Sequence, residues 1–74
     1  MAEVDIFHID CFLNRIAEVR EALALFPGIC NMRDIYGETG LHAAMAGNST
    51  QVLELLLARE EIDIAVTDSV FNQL

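Results

Sequence analysis

Apolar residues recur three or four positions apart through most of this chain. Ile6, Ile9, Leu13, Ile16, Val19, Leu23 and Phe26 hold that spacing without interruption, which is the period of a helix that buries one face. Pro27-Gly28 ends the run. Two arrangements fit it: one amphipathic helix from about Asp5 to Leu25, or two helices broken at Asn14-Arg15. Further on, Leu41, Ala44 and Met45 mark one face of a short helix, with Thr39 as an N-cap whose hydroxyl can take up a free backbone N–H. Gly47-Asn48 breaks that helix, and Asn48 with Gln51 resembles a capping box for the next. There Val52, Leu55 and Leu56 fall at i, i+3 and i+4, Leu53 and Leu57 widen the stripe, and Glu54 and Arg59 keep the outer face wet. The expected fold class is all-α.

The pattern also repeats. Sliding the chain by 34 positions pairs Phe7 with Leu41, His8 with His42, Asn14 with Asn48, Val19 with Leu53, Leu23 with Leu57 and Asp34 with Asp68. Identities are few, but residue class agrees at the structurally demanding positions. The His and Asn coincidences favour two helix pairs over one long first helix.

Composition narrows the setting. Seventy-four residues make one small domain, 54% hydrophobic, with four Phe, one Tyr and no Trp, so an aliphatic core is expected. Mean hydropathy is +0.39. Twelve acidic against four basic residues give a formal net charge of −8, which argues against nucleic acid and anionic membranes and favours a basic partner surface. Cys11 and Cys30 lack metal or redox spacing and lie among apolar neighbours, as buried free thiols of a reducing compartment do. The acidic start, Met1-Ala2-Glu3-Val4-Asp5, is unlike a secretion signal, and no apolar run is long enough to span a bilayer. Cytoplasm or nucleus is expected.

The segment Thr39-Gly40-Leu41-His42-Ala43-Ala44 resembles the T-P-L-H-x-A signature of the ankyrin-repeat family. Asp34-Ile35-Tyr36-Gly37-Glu38-Thr39 has the family's preceding spacing. Val52-Leu53-Glu54-Leu55-Leu56-Leu57 resembles its outer helix, and Ile62-Asp63-Ile64-Ala65-Val66-Thr67-Asp68 its closing strand. The resemblance implies a solenoid fragment of helix-turn-helix units joined by a β-hairpin-like finger. Its parts are a degenerate repeat over about 5–33, a well-matched repeat over 34–67 and the start of an incomplete one over 68–74. Both copies run one residue beyond the family's usual period of about 33, with the extra residue in the loop after the outer helix. Gly40 stands where the family has Pro, and Gly47-Asn48 reverses its usual Asn-Gly. Asp10 and Cys11 replace paired small residues, and Phe71 falls where a further turn glycine belongs.

The function implied is non-enzymatic protein–protein interaction. The partner-binding positions carried over are Arg33, Ile35, Tyr36 and Glu38 on the finger and Ala46 on the helix, with Thr67, Ser69 and Val70 on a second, incomplete finger. Asp34, Gly37, Thr39, Leu41, His42 and Ala44 are the structural motif, His42 bonding locally to the turn. Repeats bury their faces against one another, so so few units read as a truncated product of a longer array. The alternative is a structural fragment that self-associates through an uncapped apolar face containing Leu53 and Leu57. A catalytic pair of His8 and Cys11 would share a helix face, but no third orienting group or oxyanion site accompanies them. His8 is read as a structural turn residue and Cys11 as core. Neither a metal site nor a phosphate-cradling loop is expected. Glu60, Glu61 and Asp63 read as a solvated acidic tip, and no cofactor is implied.

Overall fold

The computed structural model describes residues 2–63 and Ala65. The expected third unit over 68–74, the second finger's Thr67, Ser69 and Val70, and Ile64 and 66–68 of the expected closing strand lie outside the described residues. Those described are helical or irregular, with no strand among them: α1 (Glu3–Phe12), α2 (Ile16–Leu25), a 3₁₀ turn (Pro27–Asn31), α3 (Gly40–Ala46) and α4 (Thr50–Leu57). The all-α expectation holds. The first apolar run forms two helices, which settles the choice between one helix and two.

The break at Asn14 is a full helix terminus. Asn14 takes the left-handed conformation, φ 57°, and its N–H donates to Cys11 O while the Arg15 N–H donates to Asp10 O. These two bonds take up carbonyls that the helix end leaves free. Asn48 does the same after α3: φ is 54°, and the Asn48 and Ser49 N–H groups donate to Met45 O and Ala44 O. Next, the Ile16 N–H donates to Asn14 O as Thr50 does to Asn48 O, and Val19 to Arg15 O as Leu53 does to Ser49 O. Each bond recurs 34 positions later. The internal repeat, faint in side chains, is therefore explicit in the backbone. Asn48 thus closes α3 instead of opening α4, whose N-cap is Ser49.

The helix pairs meet at a seam that only small residues permit. A Cβ on Gly47 would lie 2.0 Å from Phe12 O, and one on Gly40 would lie 2.7 Å from the Phe7 ring and 3.2 Å from Cys11 Sγ. Gly40 is therefore required by the close approach of α3 to α1, a tertiary reason that outweighs its lower helix propensity. Polar bonds cross the same seam. Ser49 Oγ donates to Phe12 O at 2.7 Å, and Asn14 Oδ1 accepts the Val52 N–H at 3.2 Å, so a residue of the first pair caps the first turn of α4. At the other end of the pairs, Asn31 Oδ1 accepts the Asp63 N–H at 2.8 Å and Asn31 Nδ2 donates to Glu61 O.

Phe7, Cys11, Val19, Leu23, Ile29, Cys30, Leu41, Ala44, Val52 and Leu56 form the buried core, so the expected aliphatic core also takes in one aromatic ring, that of Phe7. α4 commits Val52 and Leu56, one turn apart, while Leu53, Leu55 and Leu57 are partly buried. The first apolar stripe is wider than the surface it buries: Ile6, Ile9, Leu13 and Phe26 are each at least two-fifths exposed. Phe26, expected on the α2 stripe, is instead the residue that ends α2, and its side chain faces outward.

Asn14 has two separable jobs, a backbone conformation and a cap on α4. Asn14→Gly keeps the conformation and loses the cap, at an expected cost of about 1 kcal/mol. Asn14→Ala loses both, at about 2 kcal/mol. Urea denaturation of the variants checks the order; equal costs would reduce Asn14 to one of the jobs.

Candidate interaction surface

Between the 3₁₀ turn and α3 the chain reverses direction over residues 34–38, and Asp34 organises the reversal. Its N–H donates to Glu38 O at 2.9 Å and its carbonyl accepts the Gly37 N–H at 3.0 Å. Its carboxylate Oδ1 accepts the Tyr36 and Glu38 N–H groups at 2.8 and 3.0 Å. Gly37 has φ +75°, a region open to glycine and strained for most side chains. Arg33 Nη1 donates to Gly37 O at 2.7 Å, fastening the turn from the residue just before it. The result is a narrow loop whose backbone is held at nearly every residue.

Two helices anchor this loop. His8, buried in the middle of α1, places Nδ1 3.4 Å from Asp34 Oδ2, so a residue of the first pair steadies the turn that leads into the second. That corrects the reading of His8 as a turn residue. Its Nε2 is buried and has no partner among the described residues. On the other side Thr39 is the N-cap of α3, and its N–H donates to His42 Nδ1 at 3.0 Å, with the Thr39 hydroxyl 3.1 Å from the same nitrogen. The two histidines, equivalent by the 34-residue offset, thus serve different contacts. His42 bonds locally; His8 reaches across.

The five candidate binding residues divide accordingly. Ile35 and Tyr36 form the tip, 89% and 80% exposed, and Glu38 is exposed beside them. Arg33 is exposed, but its guanidinium is engaged in holding the turn. Ala46 is exposed at the far end of α3, about 9 Å along the helix axis from Gly40. The structural motif residues lie as follows: Leu41 and Ala44 are in the core, Thr39 is buried, and Asp34 and Gly37 shape the turn. The polar ties at Asn14, Asn31 and Ser49 escape a reading by motif. The one signal was the recurrence of Asn at positions 14 and 48.

Cys11 and Cys30 are both free and buried. Burial, with the Asp10 carboxylate beside it, pushes the Cys11 thiol up to about 12, far from the depressed value of an activated nucleophile. Burial likewise raises Cys30, with Glu61 adding to it. Asp10 itself is tied to Arg15 Nη1 at 3.3 Å, and Glu61 of the acidic tip pairs with Arg59. Among the described residues no group of three or more His, Cys, Asp or Glu side chains is gathered to hold a metal. No described helix is long and apolar enough to cross a membrane. Compared against models of protein families, curated proteins and solved structures, the chain finds no match.

The Glu38 N–H, more than any other contact, holds the Asp34 carboxyl below its ordinary value of 3.8; Tyr36 and His8 add to this and partial desolvation opposes it. A carboxyl lowered by folding stabilises the fold above its unfolded value and loses that contribution as pH falls through the folded one. Asp34→Asn keeps an oxygen acceptor and removes the charge. Thermal melts should therefore show the variant less stable than the parent at neutral pH, with the gap closing as pH falls below 3.8. A gap independent of pH would overturn the role given to the charge.

Proposed function

We propose that the chain is a non-enzymatic protein-interaction module of ankyrin-repeat type, and that it binds its partner through the 34–38 turn. The observation that carries the reading is Tyr36, 80% exposed at the tip of a loop fixed by Asp34, Gly37, Arg33 and His8. An exposed aromatic on a held backbone offers apolar area and a hydroxyl with little ordering cost on binding. Ile35 extends the apolar patch and Glu38 gives it an acidic edge, which suits a partner that is basic around an apolar centre. The family assignment is supported by the Thr39-to-Ala44 segment and by the helix-pair backbone that recurs 34 residues on. In this reading the reversal at 34–38 is the finger and Ala46 borders the binding side of α3.

Peptides selected by display on the full chain test the proposal. Tyr36→Ala should weaken the selected ligand about tenfold or more while leaving the thermal melt unchanged, as truncation of a central aromatic anchor does. Ligands indifferent to Tyr36 and Ile35 would overturn it.

One observation favours the second reading, self-association. Val19 and Leu23, in the pair that has another pair after it, are 0% and 1% exposed, whereas Leu53 and Leu57, their equivalents in the second pair, keep part of their surface open. A second copy covering that surface would raise the sedimenting mass with concentration, and Leu57→Gln would return it to the monomer. A mass that does not change with concentration removes this reading.

A further inference from the structure

A second surface lies on the opposite side of the first helix pair. α1, α2 and the 3₁₀ turn enclose a groove of about 320 Å³ to which neither α3 nor α4 contributes. Its floor is Phe7 and Ile29, and its walls carry Ile6, Leu25 and Phe26, of which Leu25 is 66% exposed. Four carboxylates line the groove and no cation does: Glu3, Asp10, Glu18 and Glu21. The Asp10 carboxylate is held by Arg15, whereas none of the three glutamates is in an ion pair among the described residues.

The seam inside the molecule excludes one class of occupant. The second pair approaches the first only because positions 40 and 47 are glycine, with a Cβ meeting the Phe7 ring at 2.7 Å and Phe12 O at 2.0 Å. The residues 34 positions earlier are Ile6 and Leu13. Repeating the step backwards would drive both side chains into the preceding pair. Neither another pair of this kind nor a second copy stacked head to tail can therefore close this face by the same contact.

We infer that the groove is a docking site for one amphipathic helix of a partner protein, apolar along its contact stripe and basic along both edges. Apolar residues one turn apart fill the space over Phe7 and Ile29 between Leu25 and Ile6, and Lys or Arg on the flanks meets Glu3, Glu18 and Glu21. This is helix-in-groove recognition, with the apolar stripe supplying affinity and the rim charges supplying selection and a salt-dependent association rate. It is independent of the turn carrying Tyr36.

The test is fluorescence anisotropy with the full chain and a labelled synthetic helix of about 18 residues, Leu at i, i+3 and i+7 and Lys on both flanks. Saturable binding that weakens with added salt is expected. Glu18→Lys with Glu21→Lys, both at exposed positions, should weaken it about tenfold, and the same peptide with its Lys changed to Glu should bind this variant better than the parent. Leu25→Asp should abolish binding, and Tyr36→Ala should leave it unchanged. The inference is overturned by absence of saturable binding, by binding indifferent to Leu25→Asp or to the charge reversal, or by loss of binding in Tyr36→Ala. It is equally overturned by a concentration-dependent mass that Leu25→Asp abolishes, which would make a second copy the occupant.

Discussion

Two helix pairs this short stand together because the carbonyl end of α1 is brought against the corner between α3 and α4. Phe12 O is the atom at the centre of that meeting. It belongs to the last turn of a helix, where the backbone has no partner of its own, and Ser49 Oγ supplies one at 2.7 Å. The approach leaves no room for a Cβ at Gly47, and the same closeness lets Asn14 reach the first turn of α4. Leu41 and Ala44 of α3, and Val52 and Leu56 of α4, are buried as these contacts are made. A side chain at position 47 would part the pairs and expose apolar surface and polar backbone groups together, so packing and hydrogen bonding are not separable at this seam.

The stiffness of the 34–38 turn descends from that arrangement. His8 is held in α1, and with α1 lying against α3 it reaches Asp34, whose carbonyl also accepts the Gly37 N–H that closes the turn. A loop whose backbone is bonded to itself and to a buried helix has little freedom left to lose, which is the property the proposed binding role draws on. The acidic surplus has a similar local meaning. Glu38 flanks this tip, and Glu3, Glu18 and Glu21 flank the groove between α1 and α2. Both surfaces therefore join exposed apolar area to negative charge.

Much of this was legible in order along the chain. Helix period, the stop at Pro27-Gly28 and the offset of 34 identify helical elements and their recurrence. Asp34, Gly37 and Thr39 announce a turn that opens a helix, because each has a local job that local chemistry reveals. Other residues read misleadingly for the same reason. Asn48 looks like the start of α4, and it ends α3, since a left-handed cap and an N-cap draw on the same residue type. Phe26 keeps the helical register and is nonetheless outside, because register fixes a face of α2 and says nothing of where that face runs out of neighbours.

The sequence by itself determined the kind of element, its approximate ends and the repeat, all of which depend on contacts within a few residues. Tertiary structure alone decided why positions 40 and 47 are glycine, which histidine serves its own helix and which serves the next turn, and which apolar residues remain at the surface. Those outcomes turn on distances of a few ångströms between segments far apart in the chain, such as His8 to Asp34, Asn14 to Val52 and Ser49 to Phe12. A spacing along the chain carries no record of such distances until the helices are packed.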